Sequence, residues 1–325
     1  MKKMTLTALA LASALAMSAC GSSEPGTASG ADASAGGKTE VTVGTLPILP
    51  TAAIMLGQEK GFFSDQGLDL KLETGQGGAA LVPAVMSGQM QFATGNPISL
   101  LQARDKGLDL RVVSSYTYDT DAGVHAVLTK AGSTIKSPKD LVGKKVAINT
   151  LKSMGDLLIM DAVKKDGGDP KAVSFVELPY PNMEAALKSG QVDAVWTPEP
   201  FMTIIKKAGN PVVTYPGVAS VKGHPTMMFF TSGQLAQSKP ELVAKMAKAM
   251  NTTLDYAQSH PDEVRAKASA ALKIDPAVAK DVVLEDFGGP VRKDELTAMG
   301  ALMNEYGVIS KDADVAGLLQ SVPSN

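Results

Sequence analysis

The stretches "SGQMQFATGNP" (residues 87–97) and "SGQVDAVWTPEP" (residues 189–200) decide the fold, because they repeat one pattern in two parts of the chain. Each begins with a polar turn, continues as a short apolar segment typical of a buried strand, and ends in a loop that contains proline. The repetition predicts two similar α/β lobes. The two copies differ at their ends, and we expect those ends to face a shared cleft in which a ligand is recognised.

Strand and helix patterns alternate around the first copy. Alternating or continuous apolar residues predict strands, and spacings of three and four residues predict helices. The strands are expected at 40–46, 68–73, 90–94 and 108–118, and the helices at 51–63, 79–88 and 97–106. The order βαβαβαβ predicts a mostly parallel sheet with helices on both faces.

A second α/β set surrounds the second copy. Its strands are expected at 125–130, 144–150, 173–179 and 192–197, and its helices at 137–143, 155–165 and 182–190. The chain then returns through "PTMMFFTS" (residues 225–232), and "SKPE" (238–241) has the spacing of a capping box at the start of a helix. The remainder, from 263 to 325, is expected to be helical throughout.

This order of elements predicts how the chain is divided. Residues 39–124 and 225–325 are expected to form lobe 1, and residues 125–224 are expected to form lobe 2. The two crossings, near His125 and near Pro225, would form a hinge. Hinge packing is the expected role of His125 and His224, with a pH switch as the alternative.

The beginning of the chain predicts export. Lys2 and Lys3 precede an apolar run that ends in "SAC" at Cys20, which is the pattern of a secretory signal over residues 1–19. Cys20 is the only cysteine, and it stands where bacterial lipoproteins carry their lipid. Residues 20–38 are rich in Gly, Ser and Ala, so they are expected to form a flexible tether. We therefore expect an extracytoplasmic protein that is lipid-anchored to the cell membrane through Cys20.

Composition excludes several classes of function. The net charge is -2, and no basic stripe with interleaved aromatic residues occurs, so no nucleic-acid partner is expected. Three histidines and the absence of HExxH, CxxC and GxGxxG motifs argue against a metal site or a cofactor. No base and nucleophile stand in a recognisable catalytic motif, so we expect no enzyme.

Two long stretches carry a family resemblance. They are "GQEKGFFSDQGLDLKLETGQGGAALVPAVMSGQMQFATGNPISLLQARDKGLDLRVV" and "IKSPKDLVGKKVAINTLKSMGDLLIMDAVKKDGGDPKAVSFVELPYPNMEAALKSGQVDAVWTPEPF". They resemble the solute-binding proteins of ABC importers in the nitrate/sulfonate/taurine and thiamine-precursor family, over nearly all of residues 41–201. The resemblance implies a periplasmic-binding-protein-like fold of type II, with a ligand cleft between two hinged lobes. It also implies delivery of a small solute to an ABC permease, and we expect the protein to be a monomer.

The candidate binding residues of lobe 1 stand where predicted strands end, because ligands of open α/β sheets sit outside the carboxyl ends of strands. The glycines either permit close approach of the backbone to a ligand or form a flexible loop. Asn96 either leads into a helix start that holds an oxygen or anion, or only caps that helix. The candidates are Pro47, Ile48, Gly77, Gly78, Thr94, Gly95, Asn96, Tyr116 and Tyr118.

The candidates of lobe 2 follow the same rule. An indole suits stacking against an aromatic or apolar solute, although a lone tryptophan after an apolar strand is also typical of a core. Glu199, in an "EPF" element that resembles the family's, either binds an amine or donor group of the ligand or pairs with a basic residue of the hinge. The family commonly presents an anionic group to the helix start after Lys152. The candidates are Ser153, Met154, Gly155, Asn182, Trp196 and Glu199.

The ligand is expected to be a small organic solute. No arginine stands where it would clamp an anion with two hydrogen bonds, which argues against a simple inorganic anion. The open alternatives are a sulfonate or aromatic acid and a pyrimidine like the thiamine precursors. A lipoprotein that senses a ligand without transport, or an enzyme on the same fold, are the alternative functions.

Overall fold

The computed structural model describes residues 37–320. The expected signal peptide, Cys20 and nearly all of the expected tether lie outside the described residues, as do the last five residues. Within the described part, no helix combines the length and the apolar character that crossing a membrane requires.

Strands of the described chain form two sheets, and helices connect them. The strands are β1 (Thr39–Thr45), β2 (Leu68–Thr74), β3 (Phe92–Gly95), β4 (Leu110–Tyr118), β5 (His125–Thr129), β6 (Lys145–Ile148), β7 (Ser174–Glu177), β8 (Ala194–Pro198), β9 (Val212–Thr214), β10 (Pro225–Ser232) and β11 (Asp286–Phe287). The helices are α1 (Thr51–Glu59), α2 (Gly78–Met86), α3 (Pro97–Asp105), α4 (Met154–Lys165), α5 (Tyr180–Ser189), α6 (Phe201–Lys207), α7 (Pro216–Ser220), α8 (Gly233–Ser238), α9 (Pro240–Ser259), α10 (Pro261–Leu272), α11 (Pro276–Ala279), α12 (Lys293–Glu305) and α13 (Val315–Leu318).

The first sheet has the order β11-β4-β10-β3-β1-β2. Strand β1 pairs in parallel with β2 and β3, as expected, with Val43 opposite Phe92. Strand β10 lies antiparallel between β3 and β4, and β11 is antiparallel to β4. The sheet is therefore mixed, and the expectation of a mostly parallel sheet is wrong for this edge. The reason is that β10 enters from the other lobe and inserts between two strands that the sequence order makes neighbours.

The second sheet repeats the topology of the first. Its order is β7-β6-β8-β5-β9, with β6 parallel to β7 and β8, and β5 antiparallel to β8 and β9. Strands β6, β7 and β8 therefore correspond to β1, β2 and β3, and β5 and β9 correspond to β10 and β4. The repeated stretches of sequence contain the equivalent strands β3 and β8. The α/β fold class with two similar lobes is confirmed, and both sheets are mixed.

The core follows the central strands, which read as short apolar runs because both of their faces are covered. Strands β3 and β8 are buried along their whole length. Phe92 of β3 stacks on Phe229 of β10, with ring centroids 5.6 Å apart. Burial of each such side chain stabilises the fold by about 1.5–3 kcal/mol.

The C-terminal region departs from the expectation of continuous helix. Asp286 and Phe287 form β11 against Tyr118 and Thr117 of β4, and Gly288 follows with a positive φ. The capping box expected at 238–241 is also wrong, because Ser238 ends α8 and its hydroxyl donates to the Gln234 carbonyl. The conformation of residues 286 and 287 is thus set by pairing with the unpaired backbone groups of β4 at the edge of the sheet, and not by local helix spacing.

The two crossings between the sheets are paired with each other. The Asp119 amide donates to the His224 carbonyl at 2.9 Å. The buried His224 ring lies 3.7 Å from the Asp119 carboxylate, and its Nδ1 lies 2.8 Å from the Val221 carbonyl. Burial lowers the pKa of His224. His224 is thus packed where the chain passes between the sheets.

Candidate functional site

Loops that follow strands of the first sheet meet loops that follow strands of the second. Asn96 Nδ2 donates to Ser153 Oγ at 3.1 Å, and Ser99 Oγ lies 3.3 Å from the same oxygen. Asn149 Nδ2 donates to the Gln76 carbonyl at 3.2 Å. These contacts run along the carboxyl ends of β2, β3 and β6, which is where open α/β sheets bind ligands. The described conformation is therefore closed along this seam.

A second seam lies around Glu199. The Leu49 amide donates to the Glu199 carbonyl at 3.1 Å, and the Val283 amide donates to Glu199 Oε1 at 3.1 Å. The same carboxylate accepts from the Thr203 hydroxyl at 2.7 Å and from the Thr203 amide at 3.0 Å. Burial raises the pKa of Glu199, and these hydrogen bonds oppose the rise. Both carboxylate oxygens are thus engaged with the chain's own groups at the start of α6 and in the other lobe.

Trp196 is a buried residue of β8 in lobe 2. Its side chain is 2% exposed, and it stacks on His125 with ring centroids 4.9 Å apart and an interplanar angle of 9°. The Tyr180 ring lies 6.3 Å away. Gly155 lies against the indole so closely that a Cβ there would be 2.8 Å from Trp196 Cε3. The structure therefore packs this ring within lobe 2 and aligns it with a histidine.

Several buried polar atoms of the described chain have no hydrogen-bond partner, and three of them belong to residues of interest here. They are Trp196 Nε1, His125 Nδ1 and Glu285 Oε2. An unpaired buried polar atom costs about 1–3 kcal/mol, so each such atom in a folded protein calls for an explanation. Burial lowers the pKa of His125 to about 3 and raises the pKa of Glu285 to about 8. Perturbed, unpartnered groups of this kind are typical of functional sites.

Glu285 links this cluster to both lobes. Its charge contributes to the raised pKa of Tyr116 on β4, after burial, and it does the same for Tyr180 on α5. Tyr180 in turn packs on Trp196 and on Phe201. A negative charge on Glu285 thus raises the pKa of one tyrosine in each lobe.

The two tyrosines predicted on β4 use their hydroxyls within lobe 1. The Tyr116 hydroxyl donates to the Pro50 carbonyl at 2.5 Å, and the Tyr118 hydroxyl donates to the Pro290 carbonyl at 2.9 Å. The Arg292 guanidinium lies over the Tyr118 ring, 4.3 Å from its centroid. Both side chains thus attach β4 to neighbouring segments of lobe 1.

The remaining candidates of lobe 1 lie near the carboxyl ends of β1 and β3. Ile48 is buried and Pro47 half-buried in the turn after β1. Thr94 Oγ1 lies 3.5 Å from the Gly44 carbonyl. Asn96 both caps α3, where its Oδ1 accepts from the Ser99 amide at 3.0 Å, and reaches the other lobe through Nδ2. The cap and the cleft position, which the sequence left as alternatives, therefore coexist in one residue.

The glycines at the start of α2 permit two close approaches. A Cβ on Gly78 would lie 2.9 Å from the Gly95 Cα, so α2 approaches the end of β3 at backbone distance. A Cβ on Gly77 would lie 2.6 Å from Thr150 Oγ1 of the other lobe. The role found here is close backbone approach, to β3 in one case and to the facing lobe in the other.

The backbone amides at the start of α4 donate to the carboxylate of Asp156, in the first turn of the same helix. Ser153 is the N-cap, and Asp156 Oδ1 accepts from its amide at 2.7 Å, while Asp156 Oδ2 accepts from the Lys152 amide at 2.5 Å. Asp156 is buried, and burial raises its pKa to about 6 against the effect of these amides. Asp156 therefore completes the capping box of α4 from a buried position. Met154 is also buried at this helix start.

Asn182 is exposed in the first turn of α5, which begins at Tyr180, two residues earlier than expected.

Sequence reasoning missed Tyr180 and Glu285. Tyr180 comes directly after the loop that ends β7, so the rule that sites lie beyond strand ends contained the signal for it. Glu285 stands in a segment expected to be helical, and no pattern in that segment indicates a buried carboxyl group. Its position depends on the pairing of β11 with β4.

Two mixed α/β sheets with a cleft between them define a periplasmic binding protein fold. Known structures agree: the alkanesulfonate-binding protein of Xanthomonas axonopodis pv. citri matches with a TM-score of 0.73 at 17% identity, over 87% of this chain and 98% of that one. The chain belongs to the NMT1/THI5-like family, whose pattern matches residues 50–264. The resemblance inferred from the two long stretches is thereby confirmed.

Two curated relatives place the chain within this family. The taurine-binding periplasmic protein of Escherichia coli K12 is 25% identical over 58% of this chain and 57% of its own length. A 4-amino-5-hydroxymethyl-2-methylpyrimidine phosphate synthase of Saccharomyces cerevisiae is 23% identical over 64% of this chain and 63% of its own length. The chain thus aligns with less than two thirds of either relative, and the relatives include both a binding protein and an enzyme.

Proposed function

We propose that this protein is the extracytoplasmic solute-binding component of an ABC importer. It would capture a small organic solute between its two lobes, residues 39–124 with 225–325 and residues 125–224, and deliver it to a permease in the membrane. The observation that carries the proposal is the set of buried atoms without partners, Trp196 Nε1, His125 Nδ1 and Glu285 Oε2. A solute enclosed between the lobes would offer hydrogen-bond partners to these atoms.

The contacts between the two lobes also support solute capture between them. Hinge closure around a ligand is one of the recurrent motions of two-lobed proteins. The seam between Asn96 and Ser153 consists of polar side chains at 3.1 Å, which water can replace when the lobes separate. The solute class is proposed to be a sulfonate or aromatic acid, or a pyrimidine like the thiamine precursors, in keeping with the family.

The mature protein would be a monomer, attached to the outer face of the cell membrane by a lipid on Cys20. A chain with Cys20→Ser is expected to leave the membrane fraction and appear in the soluble fraction, as followed by immunoblotting. A variant that stays in the membrane fraction would contradict the lipid anchor.

The yeast relative is a synthase, so an enzymatic function is the competing hypothesis. We favour binding because the sequence shows no catalytic motif and because Thr203 and Val283 engage both oxygens of the buried Glu199 carboxylate. Incubation of the protein with any solute that binds, followed by mass spectrometry, is expected to return the solute unchanged. Turnover of the solute would establish an enzyme.

The test of the proposal is a thermal-shift screen of the purified protein. The panel holds alkyl and aryl sulfonates, taurine, nitrate, phthalate-like acids and pyrimidines. A solute at 100 times its Kd stabilises the folded state by about 2.7 kcal/mol, which raises the melting temperature by a few degrees. One clear shift, confirmed by calorimetric titration, would establish solute binding and its chemical class. The absence of any shift across all classes would contradict the proposal.

A further inference from the structure

We propose that Glu285 is the residue by which this protein selects its solute. Its carboxylate would pair with a protonated amino group of that solute. The inference rests on the proposed solute-binding function and adds a chemical requirement to it. The solute would carry a cationic amine in addition to the rest of its structure.

The position of Glu285 is fixed from two sides. On one side, Asp286 and Phe287 pair with Tyr118 and Thr117, which holds the segment against β4. On the other side, the Val283 amide donates to Glu199 Oε1 of the second lobe at 3.1 Å. Glu285 therefore stands in a short segment that passes along the boundary between the lobes, and its side chain is 5% exposed.

The groups around Glu285 do not include a positive charge that pairs with it. The Thr117 and Thr226 hydroxyls lie beside it and also bond to each other at 2.8 Å. Burial and a negative charge on Glu285 raise the pKa of Tyr116 and of Tyr180. Burial and the negative charge of Asp119 in turn raise the pKa of Glu285. In the described part of the chain, no basic side chain forms an ion pair with Glu285, and its Oε2 has no hydrogen-bond partner.

The neighbouring residue offers a direct comparison. The Asp286 carboxylate is half-buried, and it pairs with the Arg292 guanidinium at 3.3 Å. The protein thus supplies a cation to the more exposed carboxylate and none to the fully buried one. A buried carboxyl group is stable when it is protonated or when its carboxylate is paired, and no basic side chain of the described chain pairs with Glu285. A solute cation is therefore the partner that would stabilise the ionised form.

Binding of an amine would change the protonation state of Glu285. Burial raises the pKa of Glu285 to about 8, so the free protein carries the proton at neutral pH. A cation in contact with the carboxyl favours its ionised form. The carboxylic acid and the ammonium group would therefore combine as an ion pair, and one proton would pass from Glu285 to the buffer.

Pairs of probes that differ only in the amino group test the inference. The first pair is taurine and isethionate, and the second is 4-(aminomethyl)benzenesulfonate and toluene-4-sulfonate. Titration calorimetry at pH 7 in two buffers of different ionisation enthalpy measures both Kd and proton release. We expect the wild type to bind the amino member of at least one pair more than tenfold tighter than its partner, with release of about one proton. The partner without the amine is expected to release none.

The matched variants are Glu285→Gln and Asp286→Asn. Each replaces one carboxyl group with an amide, but only the first replaces the buried one. We expect Glu285→Gln to lose the preference for the amine and the proton release, and Asp286→Asn to retain both. The wild-type proton release requires no variant, so the test remains decisive if Glu285→Gln fails to fold.

Three outcomes would overturn the inference. Equal binding of both members of each pair by the wild type would remove the selection for an amine, while solute binding itself would stand. Equal weakening of both members by Glu285→Gln, with no change in proton release, would assign Glu285 a purely structural role. Failure of all four probes, together with a shift for another solute of the broader panel, would overturn the inference and leave the proposed function in place.

Discussion

At the scale of single residues, Trp196 combines a packed ring with a buried nitrogen that has no hydrogen-bond partner among the described residues. Its ring is held by His125 at a centroid distance of 4.9 Å and by the close approach of Gly155. These contacts make the ring part of the core of lobe 2, and its Nε1 has no hydrogen-bond partner among the described residues. The sequence presented core packing and ligand contact as alternatives; the structure shows the packing, and ligand contact through Nε1 stays a prediction.

Substitutions of Trp196 are expected to separate these two roles. Trp196→Ala removes the packed ring and is expected to lower the free energy of unfolding by about 3–5 kcal/mol. Trp196→Phe keeps an aromatic ring and is expected to cost about 1–2 kcal/mol. Because Trp196→Phe lacks the Nε1 donor, it is expected to weaken solute binding about tenfold. Urea denaturation and calorimetric titration measure the two effects, and an unchanged stability of Trp196→Ala would contradict the packing role.

Glu285 is expected to make the stability of the free protein depend on pH. Its pKa is about 8 in the folded protein and about 4.3 in an unfolded chain, so between these values the folded state holds the additional proton. The stability it contributes is therefore fully present below pH of about 4.3 and is lost as the pH rises through about 8. The slope approaches about 1.4 kcal/mol per pH unit for one proton.

The measurement is the free energy of unfolding of the wild type and of Glu285→Gln at several pH values between 4 and 9. The variant is expected to lose less stability than the wild type as the pH rises, since its amide does not ionise. Asp286→Asn serves as the control and is expected to follow the wild type. Parallel curves for the wild type and Glu285→Gln would show that the buried carboxyl group does not titrate in this range.

At the scale of elements, the start of α2 and the end of β3 are held at backbone distance. Gly78 lies against the Cα of Gly95 and the amide of Asn96, and a Cβ on Gly78 would be 2.9 Å and 3.2 Å from these two atoms. Backbone atoms cannot rotate out of the way as a side chain can. The packing of this helix on its sheet therefore requires glycine at position 78.

Gly78→Ala is expected to destabilise the protein. Alanine is favoured in helices by about 1 kcal/mol, but overpacking against backbone costs about 1–3 kcal/mol, so a net loss is expected. Ala79→Ser, at the exposed neighbouring position, serves as the control and is expected to change the free energy of unfolding by less than about 0.5 kcal/mol. Chemical denaturation compares the two variants, and a Gly78→Ala protein as stable as the control would disprove the steric argument.

At the scale of the whole molecule, closure brings Gly77 of lobe 1 against Thr150 of lobe 2. The φ of Gly77 is −178°, an extended conformation that any residue adopts. An added Cβ would therefore leave lobe 1 unstrained, but it would lie 2.6 Å from Thr150 Oγ1 in the closed conformation. We therefore expect a substitution at this position to act on closure and to leave the folding of lobe 1 unaffected.

Gly77→Ala is expected to weaken binding of any solute found in the thermal-shift screen about tenfold, with little change in the melting temperature of the free protein. Thr150→Ala removes the obstructing hydroxyl, and the double variant is expected to recover part of the affinity. Small-angle scattering with and without the solute should show less compaction for Gly77→Ala than for the wild type. If Gly77→Ala and the double variant bind the solute with equal affinity, the contact with Thr150 is not the cause of the weaker binding.

Prediction of the site from the sequence succeeded in locating the edges of the sheets and stopped short of the contacts. The strand-end rule led to Asn96 and Ser153, which meet across the lobes at 3.1 Å. It did not indicate that the Tyr116 hydroxyl bonds to Pro50 or that the Glu199 carboxylate bonds to Thr203. Strand ends are encoded by local patterns, whereas hydrogen-bond partners depend on which segments the fold brings together.

By itself, the sequence determined the alternation of strands and helices, the repeat of one α/β plan and the fold class. Periodicity, turn residues and caps act within a few residues, so they can be read without a structure. Only the tertiary structure decided that β10 enters the first sheet antiparallel and that Thr117 meets Thr226, 109 residues away along the chain. It alone also decided that Glu285 is buried at the boundary between the lobes. Such contacts result from long-range strand pairing and burial, which no local pattern encodes.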